Sequence, residues 1–207
     1  MKFFITIVFA FIAQAGISQY KQVPLTNAER GNGVLLYYQI ADTYASAHLF
    51  ILEGKRFRFE NYTCLTNSYS EGTYRENENE IIFTSTLQKG TLPLQIEYHK
   101  RDPGDSLVKR IALLQDADGR VVNDGFVHIN DDSTSCILGD NLCTKELNSI
   151  DSIKIVLSGG VSSKWIKVNP GKEIIQIRIL ARGELEKYVI YNGRYRKDGT
   201  MLAPIFE

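Results

Sequence analysis

Short stretches of alternating apolar and polar residues recur along the chain, separated by turns rich in glycine, aspartate and asparagine. In residues 55–60, for example, Phe57 and Phe59 alternate with charged side chains. A period of two residues is typical of a β-strand that buries one face and exposes the other to water. Beyond residue 18 we find no convincing amphipathic helix. The pattern therefore predicts an all-β, mostly antiparallel protein.

The first half of the chain, residues 33–100, has the pattern of successive hairpins. The stretches that alternate like strands are residues 34–40, 48–52, 55–60, 70–76, 80–87 and 94–100. Glu53-Gly54 and residues 76–79 are typical of the tight turns that join antiparallel strands. This half therefore predicts a hairpin-rich module, either barrel-like or an open sheet.

Three short motifs of this half follow one another in order: HLFILEGKRFRF at residues 48–59, SEGTY at 70–74 and IIFTS at 81–85. This series of strand, glycine turn, aromatic strand, Gly-Thr-Tyr and hydrophobic strand resembles the small lipocalin-like β domains of secreted Bacteroidota proteins. A full lipocalin barrel has about eight strands, and this half supplies five or six. A lipocalin-type carrier would line a pocket for a small apolar ligand with aromatic rings, and the candidate ligand-binding residues are Tyr37, Phe50, Phe57, Phe59, Tyr74 and Phe83.

The polar, turn-rich residues 101–106 predict a linker between this module and a second one at residues 107–207. The second module begins with residues 107–130, in which an apolar run and a later alternating stretch flank the turns at 118–119 and 124–125. This arrangement predicts strands paired around tight turns.

Four further motifs continue through this module: LQDADGRVV at residues 114–122, GFVHI at 125–129, LNSIDSIKI at 147–155 and KEIIQIRI at 172–179. Their order resembles the carboxypeptidase regulatory-like domain, a transthyretin-like β-sandwich common in exported bacterial proteins. The chain departs from that family at residues 136–144, which replace its usual aspartate-glycine-aromatic turn. The resemblance implies a β-sandwich and usually no catalysis.

The C-terminal segment predicts two more hairpins. Asn192-Gly193 is a strong hairpin signal between residues 187–192 and 194–197, and Asp198-Gly199 turns the chain into residues 201–206. Tyrosines lie among basic residues here, a combination that suggests nucleic-acid or glycan binding. Acidic residues dilute the positive charge, so ordinary strand tyrosines on a solvated hairpin are the better interpretation.

The N-terminus predicts export. Lys2 precedes the apolar run FFITIVFAFIAQAG, which ends with small residues at Ala13 and Ala15, as in a secretory signal peptide. An uncleaved anchor is the alternative, but the run is shorter than the ~20 residues that span a bilayer. We therefore assign residues 1–18 to a signal peptide and residues 19–32 to a leader, and expect a periplasmic, secreted or cell-surface protein without a membrane span.

Charge and cysteine usage narrow the possible partners. The chain has 24 Lys and Arg against 24 Asp and Glu, so no long-range field would attract nucleic acid. Cys136 and Cys143 bracket a turn at Gly139 and form a candidate disulfide in an oxidising compartment. The alternative is that all three cysteines, including Cys64, are reduced. Sequence cannot choose, because a disulfide depends on the distance and orientation of the two Cα atoms.

No motif predicts catalytic residues, a metal site or a cofactor. The histidines, His48, His99 and His128, stand far apart and lack metal-ligand spacing. Asp116-x-Asp118-Gly119 begins like a calcium loop, but Val121 and Val127 occupy positions where that loop needs glycine and glutamate.

Three hypotheses about function remain. The first is an exported, non-catalytic module that binds a partner protein or a glycan. The second is the lipocalin-type carrier described above, which requires a pocket lined by its aromatic rings. The third is an uncharacterised hydrolase whose residues come from distant strands, and it requires a buried acid or histidine with a shifted pKa in a cleft.

Overall fold

A computed structural model describes residues 19–41, 45–100, 110–137, 149–169 and 174–206, and these form an all-β protein as predicted. One short α-helix, α1 (Asn27–Gly31), and a 3₁₀ turn at Leu185–Lys187 accompany the strands in these ranges. The strands are β1 (Tyr20–Val23), β2 (Val34–Ala41), β3 (Ala45–Leu52), β4 (Arg56–Thr63), β5 (Asn67–Glu76), β6 (Glu80–Ser85), β7 (Leu94–His99), β8 (Arg110–Gln115), β9 (Phe126–Ile129), β10 (Asp131–Ile137), β11 (Ser152–Val156), β12 (Ile166–Lys167), β13 (Ile174–Ile179), β14 (Gly193–Asp198) and β15 (Met201–Pro204).

Eight strands close into an antiparallel barrel in the order β1, β15, β14, β6, β5, β4, β3, β2. Closure requires strands from both ends of the chain, because β1 pairs with β2 on one side and with β15 on the other. A closed ring leaves no strand edge unpaired, which removes the main route to edge-to-edge aggregation.

Aromatic side chains fill much of the barrel interior. The ring centroids of Phe57 and Phe83 are 5.0 Å apart, and those of Phe59 and Tyr191 are 4.1 Å apart and stacked. Tyr191 precedes β14 and carries its hydroxyl to 2.6 Å from that of Tyr195. Burial raises the pKa of the Tyr191 hydroxyl well above its usual value, so this group stays a neutral hydrogen-bonding partner inside the barrel.

The remaining strands, between β6 and β14 in the chain, form a second module with its own core. One sheet has the order β10, β9, β11, β12, and the other has the order β7, β13, β8. In the second sheet β13 runs antiparallel to β7 and parallel to β8. Buried side chains from both sheets, such as Ile129, Ile153 and Ile177, belong to one apolar cluster. This module is therefore an insertion into the barrel.

The sheet membership corrects the predicted division of the chain. The predicted leader, residues 19–32, contains β1 and α1, and the predicted second module, residues 107–207, contains the barrel strands β14 and β15. Conversely, β7 was assigned to the first module but pairs with β13 in the insertion. The predicted linker, residues 101–106, lies outside the described residues. Alternation identifies strands, but it carries no information about which strands become neighbours.

Two predicted pairings are also wrong. Residues 187–192 do not form a hairpin with β14, which pairs with β6 and β15. Strands β8 and β9 do not pair with each other either, because β8 lies beside β13 while β9 lies between β10 and β11. Of the predicted pairing around the turn at residues 118–119, a single antiparallel bridge between Gln115 and Val121 is present. The predicted hairpins β3–β4, β5–β6 and β14–β15 are confirmed.

Helix α1 begins with a capping box that can be recognised in the sequence. Thr26 and Glu29 form a capping box, in which the Thr26 hydroxyl accepts from the Glu29 N–H and the Glu29 carboxylate accepts from the Thr26 N–H. Threonine followed three residues later by glutamate is the usual signature of this motif.

A buried serine joins the two points at which the chain leaves and re-enters the barrel. The Ser85 hydroxyl donates to the Tyr191 carbonyl at 2.9 Å and accepts from the Tyr191 N–H at 2.7 Å. The Ser70 hydroxyl lies 2.9 Å from the Ser85 hydroxyl and is its third hydrogen-bond partner. The Asn192 side chain accepts from the Ser85 N–H at 2.9 Å. We call this set of contacts the junction.

We expect Ser85→Ala to lower the free energy of unfolding by about 3 kcal/mol, because it leaves several buried polar groups without a partner. Thr84→Ala, at the exposed neighbouring position on β6, should cost less than about 1 kcal/mol. Urea denaturation of both variants measures the difference. Equal losses would show that the junction contributes nothing specific.

Candidate functional site

A polar groove of about 470 Å³ lies between the barrel and the insertion. Its floor is the outer face of β4 and β5, and its wall is the segment that leads from β13 back to the barrel. The residues that line it are Arg58, Glu60, Tyr62, Asn67, Ser68, Tyr69, Glu71, Arg182, Gly183, Glu184 and Lys187. Clefts between modules are common ligand sites, because two surfaces contribute side chains to one concave space.

The register of β4 and β5 arranges the floor as three cross-strand pairs. Arg58 lies opposite Glu71, Glu60 opposite Tyr69, and Tyr62 opposite Asn67. Residues two apart on a strand face the same side, so the same alternation that buries Phe57 and Phe59 turns these six outward. The floor is therefore a flat array of hydrogen-bonding and aromatic side chains.

A glycine allows the wall to approach the floor closely. Gly183 has a φ of +99°, and a Cβ atom there would lie 2.6 Å from the Tyr69 hydroxyl oxygen. Any other residue would meet both backbone strain and a steric clash. Leu185, which is buried in the core of the insertion, anchors the 3₁₀ turn that follows. The wall therefore has a defined position.

Four of the six charged groups that line the groove form ion pairs with one another. Arg58 lies 2.6 Å from Glu60, and Lys187 lies 2.6 Å from Glu184. The hydrogen bond from Lys187 lowers the pKa of the Glu184 carboxyl, so this group is ionised at neutral pH. Arg182 and Glu71 add one further charge of each sign, so three cations balance three anions. The groove has no net charge, and exposed pairs of this kind are weak enough, at about 0–1 kcal/mol each, to be exchanged for ligand contacts.

Tyrosine hydroxyls add neutral donors to the floor. Tyr62 donates to Glu60 at 2.8 Å, and this bond raises the pKa of the Tyr62 hydroxyl. Burial raises the pKa of the Tyr69 hydroxyl as well, with the Glu71 charge as a smaller cause. Both hydroxyls therefore remain protonated across the physiological pH range.

A group of rings continues the floor across the barrel. The rings are those of Tyr37, His48, Phe50 and Tyr62, and we call them the aromatic strip. Tyr37 and Phe50 stack at 4.7 Å with an interplanar angle of 10°, and the Tyr62 ring meets His48 edge-on at 5.4 Å. Phe50 lies opposite Arg58, and His48 opposite Glu60, so the strip is contiguous with the groove.

Hydrogen bonds fix the strip on its strands. The Tyr37 hydroxyl lies 2.6 Å from His48 Nδ1, and His48 Nε2 lies 2.9 Å from the Ser46 hydroxyl. Cross-strand aromatic pairs also stabilise the sheet beneath them by about 0.2–1 kcal/mol each. The rings therefore lie in one arrangement before any ligand arrives.

The six predicted ligand-binding residues do not line one pocket. Phe57, Phe59, Tyr74 and Phe83 belong to the buried core of the barrel. Tyr37 and Phe50 lie on the outer face, because on β2 and β3 the inward positions belong to Tyr38, Leu49 and Ile51. Selecting large aromatic residues without regard to strand parity mixed the two faces. The site residues of β5 and of the wall, including Gly183, belong to no distinctive sequence motif and were therefore not predicted.

Other predicted features have local structural roles. Cys136 is disulfide-bonded, while Cys143 lies outside the described residues, so their pairing stays a prediction. The buried Asp116 carboxylate accepts from the N–H groups of Asp118 and Arg120 and thereby closes the turn that resembled a calcium loop. Within the described ranges, no three His, Cys, Asp or Glu side chains come together as a metal site, and no helix there is long and apolar enough to cross a bilayer.

Comparison of the chain with models of protein families, with curated proteins and with solved structures finds no match. The lipocalin-like and transthyretin-like resemblances therefore stay predictions, and the groove is interpreted from its own geometry.

We expect Gly183→Ala to lower the free energy of unfolding by about 1 kcal/mol more than Gly119→Ala does. Both glycines have positive φ, at +99° and +80°, but a Cβ at Gly119 meets nothing within 4 Å. The control therefore carries the backbone strain without the clash against Tyr69. Thermal and urea denaturation measure both losses, and identical values would contradict a tight contact between wall and floor.

Proposed function

We propose that this chain is an exported, non-catalytic binding module that acts in the periplasm or at the cell surface. Its binding face is the groove together with the aromatic strip. The observation that carries the proposal is the meeting of a barrel face and the inserted module in one concave surface. That surface is lined by hydrogen-bonding side chains and continues into the partly exposed rings of the aromatic strip.

The rigidity of this face supports a binding role. The floor consists of strands paired on both sides within a closed barrel, and the wall is anchored by Leu185 and packed against Tyr69. A surface that is ordered before the ligand arrives loses less conformational entropy on binding, which increases affinity. Two smaller concavities, of about 240 and 380 Å³, border the same 3₁₀ turn and widen the recessed region.

The chemistry of the groove favours binding over reaction. General acid–base catalysis works best with a group whose pKa lies near the working pH. In the groove, Lys187 lowers the pKa of Glu184 and so moves it further from neutral pH. The pKa values of the Tyr62 and Tyr69 hydroxyls are raised, which also moves them away from neutral pH. Such groups serve as permanently ionised acceptors and permanently neutral donors.

The packing of the barrel interior gives the carrier hypothesis no support. Four of the six proposed pocket residues contact one another or neighbouring rings, such as Tyr191 and Tyr195, and two face outward. A carrier of apolar ligands buries its ligand in an enclosed cavity. The outer face is therefore the surface to test.

We expect the purified protein to bind envelope material isolated from its own host. A double variant that carries Arg58→Ala and Tyr62→Ala should bind this material at least about tenfold more weakly. Tyr62 is 42% exposed and Arg58 lies beside the aromatic strip, so both changes remove contacts without touching the core. Bound protein is measured by co-sedimentation over a range of concentrations.

The matched control carries Arg196→Ala on β14 and Phe126→Ala on β9, where the ring is 44% exposed. This variant should bind like the wild type. Equal weakening in both variants, or recovery of the intact chain from the cytosol with residues 1–18 retained, would overturn the proposal.

A further inference from the structure

We propose that the binding face takes a neutral oligosaccharide, whose sugar rings contact the aromatic strip and whose hydroxyl groups exchange hydrogen bonds with the groove floor. This inference rests on the proposed function and names its ligand class.

The first step is the position of the site on the sheet. β4 pairs with β3 and β5, and β5 pairs with β4 and β6, so the backbone groups beneath the floor are used within the barrel. An extended peptide can bind by adding a strand to an open sheet edge, and this face does not offer such an edge. The floor therefore recognises a ligand through its side chains.

The second step is the charge balance. Arg58 and Lys187 already hold carboxylate partners at 2.6 Å, and the groove as a whole carries as many cations as anions. An anionic ligand would meet Glu60, Glu71 and Glu184, while a cationic one would meet Arg58, Arg182 and Lys187. Placing like charges side by side without compensation is unfavourable. A neutral ligand avoids both costs.

The third step is the density of polar groups beside aromatic surface. The floor offers carboxylate acceptors, a guanidinium, an amide and tyrosine hydroxyls within three cross-strand pairs. Neighbouring hydroxyls of a sugar match such closely spaced donors and acceptors, and the C–H face of a sugar ring packs on aromatic rings. Tyrosine suits this mixed surface because it combines an apolar ring with a polar tip.

The fourth step is the geometry of the strip. The planes of Tyr37, Phe50 and His48 are within 19° of one another, with centroids 4.7, 5.8 and 6.4 Å apart. These separations exceed ring thickness, so the rings overlap only partly, as in an offset stack. Tyr37, Phe50 and His48 are each half-buried, so part of each ring is available beside the groove. The groove volume of about 470 Å³ suits a short oligosaccharide.

Isothermal titration of the wild-type protein with neutral tri- to hexasaccharides of glucose, mannose, galactose and xylose tests the inference. At least one should bind, and raising NaCl from about 50 to 500 mM should change its affinity by less than about twofold, because salt screens only charged contacts. Tyr62→Ala should weaken that binding about tenfold, whereas Phe126→Ala leaves it unchanged. Circular dichroism and thermal denaturation confirm that both variants are folded.

A second variant keeps the test independent of folding. Glu71→Gln preserves shape while removing an acceptor charge, and should weaken the same saccharide about threefold or more. Sulfated oligosaccharides and a neutral hexapeptide are titrated in parallel, and tighter binding of either one would overturn the inference. Groove-dependent binding to envelope material without binding to any neutral saccharide would also overturn it, while leaving the proposed function intact. Saccharide binding that Tyr62→Ala and Glu71→Gln do not affect would show that the sugar binds elsewhere.

Discussion

The barrel exists only because the chain that leaves it after β6 returns beside the same strand before β14. The Ser85 hydroxyl makes this return specific, since it holds both backbone groups of Tyr191 while accepting from Ser70. Burying a hydroxyl costs little free energy when all its hydrogen bonds are made, whereas a buried hydroxyl, N–H or carbonyl group without a partner lowers stability considerably. The Ser85 contacts therefore hold the chain where it re-enters the barrel, next to the pairing of β14 with β6 and β15 and of β15 with β1.

The same return path builds the groove. The Tyr188 hydroxyl accepts from the Leu87 N–H and donates to the Glu71 carbonyl, so it links the segment that follows β6, strand β5 and the returning segment. Gly159 of the insertion packs directly on the Tyr188 backbone, where a Cβ atom would lie 1.9 Å from the carbonyl oxygen. These contacts place Gly183 against Tyr69 and form the wall. Closing the barrel and shaping the proposed binding face are consequences of one set of contacts.

Paired charges give the face its character. A groove with unpaired basic residues would select anions and attract them from a distance, but here Arg58 and Lys187 lie in ion pairs, and three anions balance the three cations. Recognition then depends on hydrogen bonds and ring contacts at short range, which act only after the ligand has arrived. The proposed oligosaccharide ligand is consistent with short-range recognition, because a neutral ligand gains nothing from long-range electrostatic steering.

The sequence by itself determined most of the strands and many of the turns. Alternation over β4 assigned Phe57 and Phe59 to one face and Arg58 to the other, and glycine turns marked β3–β4 and β14–β15. It did not determine strand partners, because the pairing energy of two alternating strands depends on neighbours that are distant in the chain. Only the tertiary structure brought β1 and β15 together, placed Tyr37 outside rather than inside, and set Gly183 beside Tyr69. The groove lies between segments more than 100 residues apart, and only folding makes such segments adjacent.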